Sequence, residues 1–272
     1  LCTTLGFLPY LLVRTSSENL SASFFMIGAS LLLLRLNPSV GLRAAIPNRL
    51  LFAAGILMGL AFQFRYQVVF MIGGLGLWLV VHAGIRWKSL FAASAGFLPV
   101  FALGLAADWY GYGRFTFAFW NYFRVNLLEG KTADFGAEPF YAYVYLTLAH
   151  FFAPVALILV AATVVFWVRN PRHVLTWTTL PLFLFHCLIG HKEVRFLFPL
   201  IPPVLLILTA VFFGDGGFAL PEFLRKPCWK RVFRWVCVYN WVLLALFCVY
   251  PFCVESHIKH QRFIYQHRDS IG

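Results

Sequence analysis

Apolar runs, most of them close to twenty residues long and nearly free of charge, recur along this chain and leave few folds open to it. A segment crossing the hydrocarbon core of a bilayer must satisfy its own backbone N–H and C=O groups, and a helix needs about 20 mostly apolar residues to do so. Such segments run roughly over 1–13, 20–35, 50–62, 67–82, 89–107, 141–168, 174–190, 197–214 and 235–254, the third short and the sixth long. With 61% hydrophobic and 12% charged residues, no soluble core hides this much apolar surface. The sequence predicts an all-α polytopic transmembrane bundle of about eight or nine spans over 1–254. It also predicts an outer-face loop at 108–140 and the start of an outer-face tail or domain at 255–272. Leu1 opens inside an apolar run with no initiator Met, so the expectation is a fragment lacking its N-terminal part.

The net charge of +12 does not point to nucleic acid, because the basic residues are scattered through loops between spans. There they read as topology signals and lipid headgroup contacts. The six cysteines show no metal-ligand spacing, and there is no Gly-rich nucleotide loop and no His-x-x-x-His pair. Taken alternately, the loops 35–50, 83–89, 169–173 and 214–234 hold more than half of the 22 Lys and Arg but only Asp215 and Glu222 of the ten acids. The positive-inside rule makes these cytoplasmic. RTSSEN (14–19), FRYQ (64–67), DWYGYGRF (108–115) and HKEVRF (191–196) then all fall on the outer face. That face is lumenal for an ER protein and periplasmic for a bacterial inner-membrane protein.

HKEVRFLFP, residues 191–199, places four ionisable side chains on a short junction between two apolar runs. If the junction continues as helix, His191 and Arg195 share a face at i and i+4, with Lys192 beside them. Such a set makes a phosphate clamp, Arg as a bidentate fork and Lys as a point charge, with Glu193 orienting Arg195 or Lys192. The plainer reading is charges snorkelling to lipid headgroups. Pro199, Pro202 and Pro203 remove backbone donors from the following helix and permit a bent start. Arg65 either faces a wet cavity or snorkels at a helix end. Arg14, Glu18 and Asn19 either contact substrate or belong to the start of a span, with Thr15 to Ser17 as its N-cap region. Asp108 ends a span and opens the long loop, whose Trp and Tyr residues suit an interfacial helix or a wall that guides sugar or lipid.

The His-Lys-Glu-x-Arg-Phe-x-x-Pro stretch at 191–199 resembles the hallmark of the Alg9-like mannosyltransferases, multispan enzymes of the GT-C type. RTSSEN resembles the family's Arg-Thr-x-x-x-Asn element. FRYQ and the loop DWYGYGRFTFAFWNYFRVN resemble further family stretches. Within the family the resemblance leans toward the branch acting on the third mannose of GPI anchors and its bacterial homologues. It implies inverting transfer of mannose from a polyprenyl (dolichyl) phosphate donor to a lipid-linked glycan acceptor. No metal and no cofactor beyond that co-substrate is implied. His191, Lys192 and Arg195 would bind the donor phosphate and Glu193 would orient them; Arg14, Glu18, Asn19, Arg65 and Asp108 are possible substrate contacts. The family's essential carboxylate lies in its first outer loop, which is expected upstream of Leu1. The rival reading is a multispan transporter or flippase for an anionic or lipid-linked substrate, which calls for midspan charges or an inverted repeat.

Overall fold

The computed structural model describes residues 16–36, 46–131, 136–150, 153–213 and 226–249. Arg14 and the tail at 255–272 lie outside the described residues. Among those described there is no strand, and ten α-helices carry the architecture. They are α1 (Ser17–Leu33), α2 (Asn48–Phe64), α3 (Val69–Val81), α4 (Leu90–Tyr112) and α5 (Ala118–Phe123), followed by α6 (Ala142–His150), α7 (Ala153–Arg169), α8 (Val174–Leu188), α9 (Ile201–Phe213) and α10 (Pro227–Val249). Short 3-10 turns at Tyr66–Val68, Trp87–Ser89 and Val194–Leu200 join some of them.

The expected span at 1–13 lies outside the described residues; the others reappear as helices, in whole or in part, but not all at membrane length. Among the described residues, Trp87–Tyr112 and Val194–Phe212 are long and apolar enough to cross a membrane. The pair Val155–Arg169 and Val174–Leu188 qualifies only together, bent by 118° at the intervening turn. Several of the others are shortened at junctions. A 17-residue helix such as α2 rises roughly 25 Å, less than the ~30 Å of a hydrocarbon core. The long sixth segment divides into α6 and α7, on either side of residues 151–152, which lie outside the description. Asp108, expected to open the outer loop, sits instead inside the last turns of α4. That helix runs on to Tyr112 and stops at Gly113, whose φ of 64° is a left-handed cap that favours glycine.

Two apolar clusters organise the bundle. One joins α1, α2, α3 and the start of α9 through Phe25, Leu51, Met71, Leu79 and Leu200. The other joins α7 to α9 through Phe166, Ile207 and Leu208. Two helix pairs lie so close that only glycine fits between them. A Cβ on Gly96 of α4 would stand 2.0 Å from the Phe52 carbonyl oxygen of α2, and one on Gly74 of α3 1.9 Å from that of Trp177 in α8. The α3–α8 pair closes at one end through the Trp78 indole N–H, which donates to Arg172 O at 2.8 Å. The start of α1 and the end of α2 gather elsewhere, beside the 191–196 segment.

Candidate functional site

Local chemistry places each member of the site. Ser16 caps α1, its hydroxyl accepting from the Asn19 N–H at 3.2 Å, and this puts Glu18 in the first turn, where the helix dipole favours a carboxylate. Ser21, one turn on, donates to Ala61 O at 2.7 Å and fastens α1 to the end of α2. Arg65 ends α2 in an extended conformation (φ −153°, ψ 106°), which turns its side chain out of the helix line. Its guanidinium meets Glu18 at 3.2 Å, with 22% of the Arg65 side chain and 8% of the Glu18 side chain exposed. Glu18 is therefore a buried counter-ion of Arg65, and the Ser17 hydroxyl also donates to it at 3.1 Å.

The 191–196 segment does not continue α8 as helix, so the expected i, i+4 face of His191, Lys192 and Arg195 does not form. The chain leaves α8 at Ile189 in extended conformation, Glu193 is extended (φ −128°, ψ 139°), and a 3-10 turn starts at Val194. Extended backbone sends successive side chains to opposite sides. His191 and Glu193 share one side, with His191 Nε2 3.1 Å from Glu193 Oε1. Arg195 grips the same carboxylate with Nε and Nη2, the latter at 3.1 Å. Burial alone would raise the Glu193 carboxyl, but the His191 hydrogen bond and the Arg195 charge outweigh it and hold the group below its usual range.

Lys192 goes the other way. It is 7% exposed, and its ammonium donates to Ile189 O at 2.5 Å and to Glu138 O at 3.2 Å, 6.0 Å from the Tyr143 ring centre. Burial lowers its pKa. The neighbouring Glu138 N–H donates to Gly190 O at 3.0 Å, so the 136–141 stretch and the 189–192 stretch are stitched together by main-chain and ammonium bonds.

Phe196 sits amid four basic side chains. Arg65 and Arg195 lie over its ring at 5.4 and 5.7 Å from the centroid, and the rings of His186 and His191 stand at 5.9 and 6.1 Å. Glu18, Arg65, His191, Glu193 and Arg195 are thereby brought into one cluster. Asn19 lies beside it in the same helical turn as Glu18, half-buried. Asp108 belongs to a neighbouring patch, where burial first, then Asp108 and Tyr112, raise the pKa of Tyr66. That patch reaches the cluster through Gln67, next in chain after Tyr66, which hydrogen-bonds the Tyr122 hydroxyl. Phe196, His186, Glu138 and Tyr143 were not among the candidates read from sequence. Only Phe196 left a signal, by following Arg195 directly.

Beside the cluster runs an apolar groove between α6, α7 and α9. Val194, Leu197 and Leu200 line it, spaced three apart on the 3-10 turn, together with Tyr143 and Trp167. Thr163 on its wall turns its hydroxyl back to Leu159 O at 2.7 Å, leaving a methyl-bearing surface.

The Alg9-like mannosyltransferase family model matches residues 2–266. The chain belongs to that family. Among similar proteins, GPI mannosyltransferase 3 of Candida albicans is 27% identical over 136 residues, half of this chain and 27% of that protein. The Schizosaccharomyces pombe GPI mannosyltransferase 3 is 31% identical over 158 residues, 55% of this chain and 27% of that protein. The Trypanosoma brucei brucei GPI mannosyltransferase 3 is 32% identical over 140 residues, 48% of this chain and 25% of that protein. The matches to this family member therefore span about a quarter of each relative's length. No solved structure matches it.

Proposed function

We propose that the chain forms the donor-binding part of a membrane mannosyltransferase that uses a polyprenyl-phosphate sugar and a lipid-linked glycan acceptor of the GPI kind. One observation carries the reading. A single segment, 191–200, presents Arg195 and His191 to a charged cluster and Val194, Leu197 and Leu200 to an apolar groove. A polyprenyl-phosphate sugar has this division, a phosphodiester head with one negative charge on an apolar tail. Family membership and the relatives' names supply the sugar and the acceptor class.

As the C1–O bond of such a donor breaks, the departing phosphate gains negative charge. Guanidinium groups fixed beforehand at its position lower that barrier more than they stabilise the ground state. Arg195 is the exposed member and meets the phosphate first, by exchanging the Glu193 carboxylate for it; Arg65 stands behind with Glu18 as its fixed counter-ion. Lys192, bound to two carbonyls, keeps the loop in shape and adds positive charge to it. The oxocarbenium-like centre is attacked by the acceptor hydroxyl in a single displacement, inverting the anomeric carbon. Glu18 and Glu193 are both committed to arginines, so a carboxylate other than these two takes the proton.

The test is transfer from polyprenyl-phosphate-[³H]mannose to a glycolipid extract by the full-length protein in membranes, with and without EDTA. Label in the acceptor that survives EDTA and drops at least about tenfold in Arg195→Lys, at equal protein level, supports the reading. Transfer indifferent to that substitution removes the cluster from the chemistry.

A further inference from the structure

We propose that Phe196 is a positioning residue, a shared aromatic platform that holds the Arg65 and Arg195 guanidiniums together as one two-armed receptor for a phosphate monoester. The inference rests on the phosphate-binding reading of the cluster but assigns it a part that neither the family nor the relatives' names provide.

The observation is geometric. Two arginines from segments 130 residues apart in sequence lie over the same ring, at 5.4 and 5.7 Å. Two like charges at a low-dielectric membrane edge repel, and each arginine side chain has many rotamers that scatter it. Three features oppose this. Glu18 pairs with Arg65, Glu193 pairs with Arg195, and the ring's electron-rich faces attract both cations. The carboxylates fix each arginine to its own segment, α1 or the 191–196 loop. Among the described residues the ring meets both, and so bears on where one guanidinium lies relative to the other. His186, held by its Nδ1 bond to Leu182 O at 2.9 Å, packs against Phe196 and limits its rotation. An arriving phosphate then meets two forks already in place and does not have to order them, which is where preorganised sites gain affinity.

The experiment uses the full-length protein in detergent, with citronellyl phosphate as the probe and tryptophan fluorescence as the binding signal. Phe196→Tyr and Phe196→Trp keep a π face; Phe196→Leu and Phe196→Met keep apolar volume without one. Expected is binding within about twofold of wild type for the aromatic pair and weakened about tenfold for the aliphatic pair, with thermal midpoints unchanged. A double-mutant cycle of Arg65→Lys with Arg195→Lys should show several-fold coupling in the Phe196 protein and almost none in Phe196→Met. A purely packing role for Phe196 would move the midpoints and leave that coupling intact, and this result overturns the proposal. So does wild-type binding by the aliphatic variants. Should Phe196→Leu fail to fold, Phe196→Met and the cycle decide. Wild type that binds citronellyl phosphate in the predicted Phe196-dependent way but transfers no mannose leaves the platform standing and defeats the mannosyltransferase reading. Mannose transfer with Phe196-independent binding does the reverse.

Discussion

Replacing Glu18 by Gln tests whether the buried pair with Arg65 holds the site together. The carboxylate is 8% exposed and the guanidinium 22%, with 3.2 Å between them. Removing one partner of a buried pair costs about 3–5 kcal/mol, because the other charge stays desolvated and uncompensated. Two features place this pair at the lower end. Arg65 keeps some contact with solvent, and Phe196 at 5.4 Å continues to attract it. Gln also preserves an acceptor for the Ser17 hydroxyl. The expected loss is therefore about 3 kcal/mol, on the order of a hundredfold in the folded-to-unfolded ratio. Arg65→Met should cost a similar amount by stranding Glu18. The double variant removes both charges, and its cost should fall short of the summed singles by at least about 2 kcal/mol. Unfolding in mixed micelles of rising SDS fraction, followed by tryptophan fluorescence, measures all three. A Glu18→Gln loss within about 0.5 kcal/mol, or additive singles, would refute the reasoning.

Gly74→Ala and Gly73→Ala, neighbours on α3, should part company. The first drives a Cβ to 1.9 Å from Trp177 O and should cost roughly 3 kcal/mol in the same unfolding assay, whereas the second meets nothing within 4 Å and should be neutral or stabilising by up to ~1 kcal/mol. His173 caps α8 by accepting the Leu175 N–H at 3.2 Å on Nδ1, so His173→Ala should lose about 1 kcal/mol and His173→Asn much less. Burial lowers the His173 pKa below 6.5, so the folded state resists its protonation. Stability should decline as pH falls below about 6.5 and level off under the folded-state pKa, a slope that thermal melts of His173→Asn should show reduced. Lys192→Met leaves the Ile189 and Glu138 carbonyls without their ammonium donor and should lower stability by about 2 kcal/mol. Because burial depresses the Lys192 pKa below 10.5, wild type should gain stability from the folded-state pKa up to about 10.5, and melts of Lys192→Met across alkaline pH should not show that gain.

What could be read from sequence follows the range of each interaction. Apolar runs and caps are local, so the helices and the Ser16 cap of α1 were legible, with boundaries shifting by a few residues. The gathering of RTSSEN, FRYQ and HKEVRF was legible only as the sharing of a side. The bonds that make it a site link Glu18 to Arg65 and Arg65 to Phe196, across 47 and 131 positions, and no spacing rule reaches that far. Inside HKEVRF the charges were visible but their direction was not. Periodicity suggested a helical face, whereas the chain leaves α8 extended at Ile189 and returns to a 3-10 turn after Glu193. Lys192 consequently points into the protein, toward Glu138 near the end of the 108–140 loop, a residue that carried no sequence signal of its own.

That change of backbone also accounts for how Lys192 parts from the other cations. An α-helix through 191–200 would hold His191, Lys192 and Arg195 within about 100° of one another on one side of the cylinder. The extended stretch instead alternates, sending Lys192 inward and His191 with Glu193 to the cluster. In the 3-10 turn that follows, Val194, Leu197, Phe198 and Leu200 line the groove while Arg195 and Phe196 stay beside the other charges. Pro199 within the turn and Pro202 and Pro203 in the first turn of α9 supply no N–H, so they disfavour an earlier α-helical ladder while fitting a helix start. The prolines after the motif therefore help keep residues 191–193 out of α9, which lets Lys192 turn inward while His191 and Glu193 face Arg195.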